Sequence, residues 1–190
     1  MHYLFESQNP ALAQQTLGSV KTLSFCGLGL TPIDSVVLSH AIRLCDTIKR
    51  LDLWDCHIQC EGLQRLGPVL HKCQDLGLGY NDLGDSGVKL VSAALRNPDC
   101  KIQTLWLQRV GLTDSGAEDL ASALSTNTSL TGLYLTHNSL TDRSVPALRD
   151  LILTLPRLKW IMLEVNKFGP TGKKELRSLQ ERRPGLTVDV

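Results

Sequence analysis

One pattern, L-x-x-L-x-L-x-x-N/C-x-L, recurs six times along the chain with its phase intact. The copies begin at Val20, Ile48, Cys73, Ile102, Leu130 and Leu158. Measured at the second leucine position (Leu23, Leu51, Leu76, Leu105, Leu133, Ile161), the steps are 28, 25, 29, 28 and 28 residues. No single unit of this size can bury its own leucines. Units must stack so that neighbours cover one another, which demands one continuous array rather than two independent globules. An apolar fraction of 42% supplies enough side chain for such a core and excludes a disordered chain.

Each copy continues with helix chemistry. Thr31-Pro32, Gly84-Asp85, Thr113-Asp114, Thr141-Asp142 and Gly169-Pro170 follow the last apolar position as capping pairs, with Pro32 suited to a first helical turn. Apolar residues then return at helical spacing, as in Val88, Val91, Ala94 and Leu95, or Ala117, Leu120, Ala121 and Leu124. One unit is therefore a strand followed by a helix. These are leucine-rich repeats of the long type, and the expected fold is an α/β horseshoe solenoid. Its parallel β-sheet lines the concave face and its helices the convex face. Leu186-Thr-Val188-Asp-Val190 alternates like a further, terminal strand.

Two details of the repeat carry specific expectations. Cys56, Asn81, Asn138 and Asn166 share the turn slot, where an inward amide can satisfy backbone groups of neighbouring turns. Leu28 and Val110 occupy that slot in the other two repeats, so their turns are expected to be poorer in hydrogen bonds. Repeat two is three residues short around His71–Asp75, which predicts a shortened helix or a strained loop there.

Composition excludes several function classes. Twenty basic and nineteen acidic residues leave a net charge of +1, with no global bias toward nucleic acid or an anionic membrane. The first residues, Met1-His2-Tyr3-Leu4-Phe5, lack the pattern of a secretory signal. No apolar run approaches the roughly 18 residues that span a bilayer. Six cysteines then read as thiols of a reducing, cytoplasmic compartment rather than a disulfide framework. Cys56-x-x-x-Cys60 with His57, His71 and Cys73 nearby lacks a repeated ligand pair, so no metal site and no cofactor are expected. Gly27-Leu-Gly29 and Gly77-Leu-Gly79 lack the residues of a phosphate loop, and Ser39-His40 lacks a nucleophile elbow. A non-enzymatic chain is expected.

The step length resembles ribonuclease-inhibitor-type repeats. Leu83-Gly-Asp-Ser-Gly87-Val-Lys-Leu90, Leu112-Thr-Asp-Ser-Gly116-Ala-Glu-Asp-Leu120 and Leu95-Arg-Asn-Pro-Asp-Cys100-Lys-Ile102 are similar in wording to the sensor domain of NOD-like receptors. His2-Tyr-Leu-Phe-Glu-Ser-Gln8 resembles the helix that precedes the repeats in that family. The pyrin-domain-containing receptors that build inflammasomes are the nearest subfamily in wording. The resemblance implies a flanking helical segment over residues 1–19 and a repeat domain over 20–190. It further implies an innate-immune sensing or autoregulatory module whose partner is another protein or an adjacent domain of the same receptor.

With the phase known, the concave face can be named. Five of the six Trp and Tyr residues fall on its outward positions: Trp54, Tyr80, Trp106, Tyr134 and Trp160. Trp106, Tyr134 and Met162 share the central outward position in adjacent repeats and are expected to form one apolar ridge, flanked by Arg109, His137 and Glu164. Trp, Tyr and Arg dominate binding hot spots, and these nine residues are the candidate partner-binding set. Lateral stacking of aromatics with no partner is the competing reading.

Two other partner classes remain open. A ribonuclease-inhibitor-like binder of a basic enzyme would need an acidic concave face, whereas Lys49, Arg50, Asp52, Asp55, Asp75, Arg109, Lys159 and Glu164 mix both signs. Residues 141–190 carry ten Lys/Arg against six Asp/Glu, which allows nucleic acid contact through Lys173, Lys174 and Arg177. No membrane association is expected, and the isolated chain is expected to be monomeric.

Overall fold

The computed structural model describes residues 21–190, so the expected flanking helix over residues 1–19 lies outside the described residues. Strands and helices alternate. The strands are β1 (Thr22–Ser24), β2 (Ile48–Asp52), β3 (Cys73–Gly77), β4 (Thr104–Trp106), β5 (Gly132–Tyr134), β6 (Trp160–Met162) and β7 (Thr187–Asp189). The helices are α1 (Pro32–Arg43), α2 (Cys60–Leu70), α3 (Gly84–Leu95), α4 (Asp114–Leu124), α5 (Val145–Thr154) and α6 (Pro170–Arg182), with a 3₁₀ turn at Asp142–Ser144 leading into α5. All seven strands form one parallel sheet in chain order. The leucine periodicity sets the register, because Leu23, Leu51, Leu76, Leu105, Leu133, Ile161 and Val188 pair in succession. β7 is the terminal strand that the alternation predicts.

Leu51, Leu53, Leu76, Leu78, Leu105, Leu107, Leu133, Leu135, Ile161 and Leu163 are fully buried between the sheet and the helix layer. Each contributes about 1.5–3 kcal/mol of burial. At β1 the row loosens: Leu23 and Phe25 are half-buried and Leu28 is exposed, since no repeat precedes them among the described residues.

The turn slot works across repeats. Asn81 Oδ1 accepts from the backbone N–H groups of Cys56 and Ile58, at 3.2 and 3.0 Å. Its amide nitrogen donates to the carbonyls of Leu53, Leu78 and Gly79. Asn138 does the same for Val110 and Leu112 N–H and for the Leu107, Leu135 and Thr136 carbonyls. Asn166 accepts from Leu140 N–H. Each Asn thus serves the turn before its own, and the Val110 turn, expected to be poor in hydrogen bonds, is fully served by Asn138. The missing amide at 110 falls instead on the preceding turn, where the Leu83 and Gly84 N–H groups bond the Val110 carbonyl at 3.1 and 2.8 Å. Cys56 supplies the donor half of the same role, its thiol donating to the Phe25 carbonyl at 2.9 Å.

A second inter-repeat device replaces most of the expected capping. Thr31 does cap α1 in a reciprocal box with Asp34. Thr113, in contrast, makes no side-chain bond to its own helix. Its N–H and hydroxyl both donate to the Asp85 carboxylate of the preceding repeat, the N–H at 2.8 Å. Thr141 clasps Asp114 identically, and Gly169 N–H donates to Asp142. Burial works to raise the Asp114 carboxyl, but the Thr141 hydroxyl and amide outweigh it, and the group lies below the usual carboxylate range.

Repeat two keeps a helix of 11 residues, α2, so the three-residue deficit does not shorten it. Only His71 and Lys72 separate α2 from β3, and neither has a positive φ. The deficit is absorbed by the loop without left-handed strain.

Positive φ sits elsewhere. Asp55, Tyr80, Arg109, His137 and Val165 all lie in the left-handed region, at the position just before the turn slot, where repeat one has Gly27. The sheet ladder enforces it for most of them. Tyr80 N–H donates to Gln108 O, Arg109 N–H to Thr136 O and His137 N–H to Glu164 O. Val165 has φ 53° and is exposed, and β-branching makes this conformation especially costly. Val165→Asn is expected to stabilise the chain by about 0.5–1 kcal/mol, raising the thermal midpoint by about 1–4 °C. An unchanged or lowered midpoint in calorimetry would count against this.

Candidate functional site

The concave face rises from four outward rows. Thr22, Arg50, Asp75, Thr104, Gly132 and Trp160 form the first, and Ser24, Asp52, Gly77, Trp106, Tyr134 and Met162 the second. The third (Trp54, Gly79, Gln108, Thr136, Glu164) and the fourth, left-handed row (Asp55, Tyr80, Arg109, His137) lie in the turns. The ridge forms in the expected register, with Trp106 opposite Tyr134 and Tyr134 opposite Met162. The Trp106 and Tyr134 rings stack with centroids 3.8 Å apart at 8°.

That pair is tied to a second one. Trp106 Nε1 donates to Asp75 Oδ1 at 2.6 Å, and the other Asp75 oxygen meets Arg50 Nη1 at 3.1 Å. Arg50 also pairs with Asp52 at 3.3 Å, and Asp52 accepts from Trp54 N–H at 3.2 Å. Trp54 packs against Tyr80 with centroids 4.6 Å apart, and the Arg109 guanidinium carbon stands 5.4 Å from the Tyr80 ring centre. Tyr134, Trp106, Asp75, Arg50, Asp52, Trp54, Tyr80 and Arg109 thus form one connected line across four repeats. Each ring is oriented by a partner, which removes rotamer freedom before any ligand arrives.

Glycines make room for the rings. A Cβ on Gly79 would sit 2.5 Å from the Trp54 ring, and one on Gly132 would touch Tyr134 and Trp160 at 3.4 and 3.6 Å. Between the two aromatic pairs lies Gln108, buried, whose Oε1 has no hydrogen-bond partner. An unpaired acceptor in this position costs about 1–3 kcal/mol.

The expected site residues therefore separate into groups. Trp54, Tyr80, Trp106, Arg109 and Tyr134 belong to the connected line, with Met162 adjoining it. Trp160, exposed and 5.9 Å from Lys159 Nζ, stands in the first row beside Gly132. His137 and Glu164 are exposed and share a backbone hydrogen bond, with no side-chain link to the aromatics. Arg50, Asp52, Asp75 and Gln108 complete the face but were not among the candidates. The signal for them was the Gly77-Leu-Gly79 pair, since a strand glycine marks close approach of a neighbouring group.

The basic helix is a different surface. Lys174 is exposed and Lys173 half-buried on α6, Arg177 donates to the Val190 carbonyl, and Glu175 between them pairs with Arg149 at 3.1 Å. None of the six cysteines is in a disulfide. Burial raises Cys73 to about 12 and Cys56 to about 11, so both stay protonated and unreactive near neutral pH.

Comparison with known proteins gives this geometry a family. The model for Leucine Rich repeat matches residues 74–92 and 126–148, a strand and at least the start of the helix after it in each case. NACHT, LRR and PYD domains-containing protein 12 of Homo sapiens is 44% identical over 134 residues, 68% of this chain. Protein 3 of the same series from Bos taurus is 41% identical over 172 residues, 70% of the chain. The chain belongs to the NACHT, LRR and PYD domains-containing family. NLR family member X1 of Rattus norvegicus is also similar, at 31% identity over 76% of the chain. The chain spans 12%, 17% and 15% of the length of these three relatives. Among solved structures, leiomodin-1 actin-binding site 2 superposes with a TM-score of 0.61 over 81% of this chain and 90% of that one. At 16% identity that likeness concerns the solenoid alone. As in its family, this chain is a leucine-rich-repeat interaction module, and among the described residues no helix is long and apolar enough to cross a membrane.

Proposed function

We propose that this chain is the non-enzymatic sensing and autoregulatory repeat module of a cytoplasmic inflammasome-type receptor, with the concave aromatic face as its recognition surface. The observation that carries this reading is the connected line from Tyr134 to Arg109, which holds two aromatic pairs in place. A protein segment, from a partner or from another domain of the same receptor, would cover the rings. Stacking alone accounts for the rings' mutual contacts but leaves the exposed Tyr80 and Trp160 unexplained.

The test is crosslinking mass spectrometry on the receptor in cells, comparing wild type with a Trp106→Ala/Tyr134→Ala variant of matched thermal stability. Lys49 and Lys159 lie beside the face and serve as crosslinking handles. Loss of their crosslinks in the variant supports the reading, with about 2 kcal/mol or more of affinity lost per hot-spot ring. An unchanged crosslink pattern would return the ridge to structural stacking.

A further inference from the structure

The helix-to-strand loops of the last two repeats frame an open groove of about 540 Å³ where the chain enters β5 and β6, at the edge of the concave face rather than on its aromatic pairs. Arg157, Lys159 and Arg183 line it with Thr131, Pro156 and Pro184, and no carboxylate does. Among the described residues none of these three cations forms an ion pair, whereas Arg50, Arg65 and Arg149 all do. Three like charges around one cavity repel each other, and no carboxylate in its lining offsets them.

The walls are held in place before any ligand arrives. Arg183 donates from Nη1 to the Ile152 carbonyl in the last turn of α5. The Lys159 backbone is pinned on both sides, its N–H donating to Thr131 O at 2.8 Å and its carbonyl accepting from Thr187 N–H at 2.7 Å. Pro156 and Pro184 fix the flanking loops, and Gly185 turns at φ 84°. The C-terminal ends of α5 and α6 place partial negative charge here, and cations complement it. Arg183 answers that demand through Ile152. Arg157 and Lys159 bond no helix carbonyl, and the Lys159 ammonium, 5.9 Å from the Trp160 ring centre, is held by no carboxylate.

We propose that this groove binds a compact anion bearing two or more phosphoryl groups, with Arg157 and Lys159 in direct contact and Arg183 as a fixed charge behind them. Arg presents a planar fork and Lys a mobile point charge, a combination suited to clustered phosphoryl oxygens. The phosphoryl groups come either from a free polyphosphorylated molecule or from a lipid headgroup.

The test titrates the 190-residue chain with pyrophosphate in a calorimeter at constant ionic strength. Wild type is compared with Arg157→Gln/Lys159→Gln and with Lys173→Gln/Lys174→Gln, which removes equal charge from α6. Saturable 1:1 binding is expected for wild type and the α6 variant, with about tenfold or greater weakening in the groove variant. Flotation with phosphatidylcholine vesicles, with and without a bisphosphorylated inositol lipid, separates the sources. Groove-dependent recruitment assigns a headgroup, and pyrophosphate binding without recruitment assigns a soluble anion. Absence of saturable binding to both probes, or equal weakening in both variants, would overturn the proposal.

Discussion

Asn81→Ala is expected to lower the unfolding free energy by about 3–5 kcal/mol, a large share of the stability of a chain this size. Asn81 is fully buried, and its side chain closes five bonds to backbone groups of two repeats. Alanine leaves the Cys56 and Ile58 N–H groups without partners in a site closed to water, at about 1–3 kcal/mol each, before the three carbonyls are counted. Asn138→Ala should cost as much, by the same bonds at Val110 and Leu112. Asn166→Ala should cost only about 1–2 kcal/mol, because Asn166 is half-buried and accepts from one N–H. Urea unfolding monitored by far-UV dichroism measures all three. Asn81→Cys supplies a sharper check, since Cys56 already performs the donor half of the role natively. It should recover about 1–2 kcal/mol of the alanine loss. Equal losses at all three positions would sink the cross-repeat account.

Gly116→Ala is expected to cost about 3 kcal/mol, although an alanine in a helix is intrinsically favoured over glycine. A Cβ at this position would lie 2.3 Å from Asp85 Oδ1 and 2.5 Å from Leu112 Cδ1. Leu112 can give way, since the contact is at the end of a flexible side chain. The Asp85 carboxylate cannot move without releasing Thr113 N–H and hydroxyl. The same geometry recurs at Gly172 beneath Asp142, and a small Ser144 occupies the equivalent place near Asp114. A double-mutant cycle isolates the effect: in an Asp85→Ala background, Gly116→Ala should cost less than about 1 kcal/mol. Gly67→Ala on α2 is the control: apart from its chain neighbours nothing lies within 4 Å of its Cβ, and the helix preference for alanine is offset by crowding against Pro68, so it should shift stability by less than about 1 kcal/mol. A Gly116→Ala cost that persists undiminished in the Asp85→Ala background would place the strain elsewhere.

These two variants also mark the boundary between the two sources of information. The Asn slot was visible in the repeat phase, but the direction of service was not. The slot is expected to serve neighbouring turns, but not one neighbour in particular, and the expectation of a poor Val110 turn assumes service within a repeat. The structure shows Asn138 holding the Val110 turn, because the bonds run between neighbours whose offset the sequence does not state. The Thr-Asp pairs were legible as helix starts, and Thr141 does cap locally by accepting from Arg143 N–H, but the clasp that both threonines make with the preceding repeat was not. Thr113 finds a carboxylate 28 residues back before its own helix amides.

The concave face divides in the same way. Alternation along each strand placed Trp106, Tyr134 and Met162 on one outward row, since side-chain period in a strand is two and one leucine pair determines it. Strand identity, parallel order, repeat number and the core leucines followed from that periodicity alone. Tertiary structure decided what the outward residues do to one another. Arg50, Asp52 and Asp75 joined two aromatic pairs into a line, Gly79 gave way to Trp54, and Gln108 was left with an unpaired oxygen. Arg157, Lys159 and Arg183, scattered over 27 residues of chain, came to line one groove. Periodicity records which face a residue takes because it is a local property of the backbone. Contacts between side chains depend on distances across repeats, and those exist only once the solenoid has stacked.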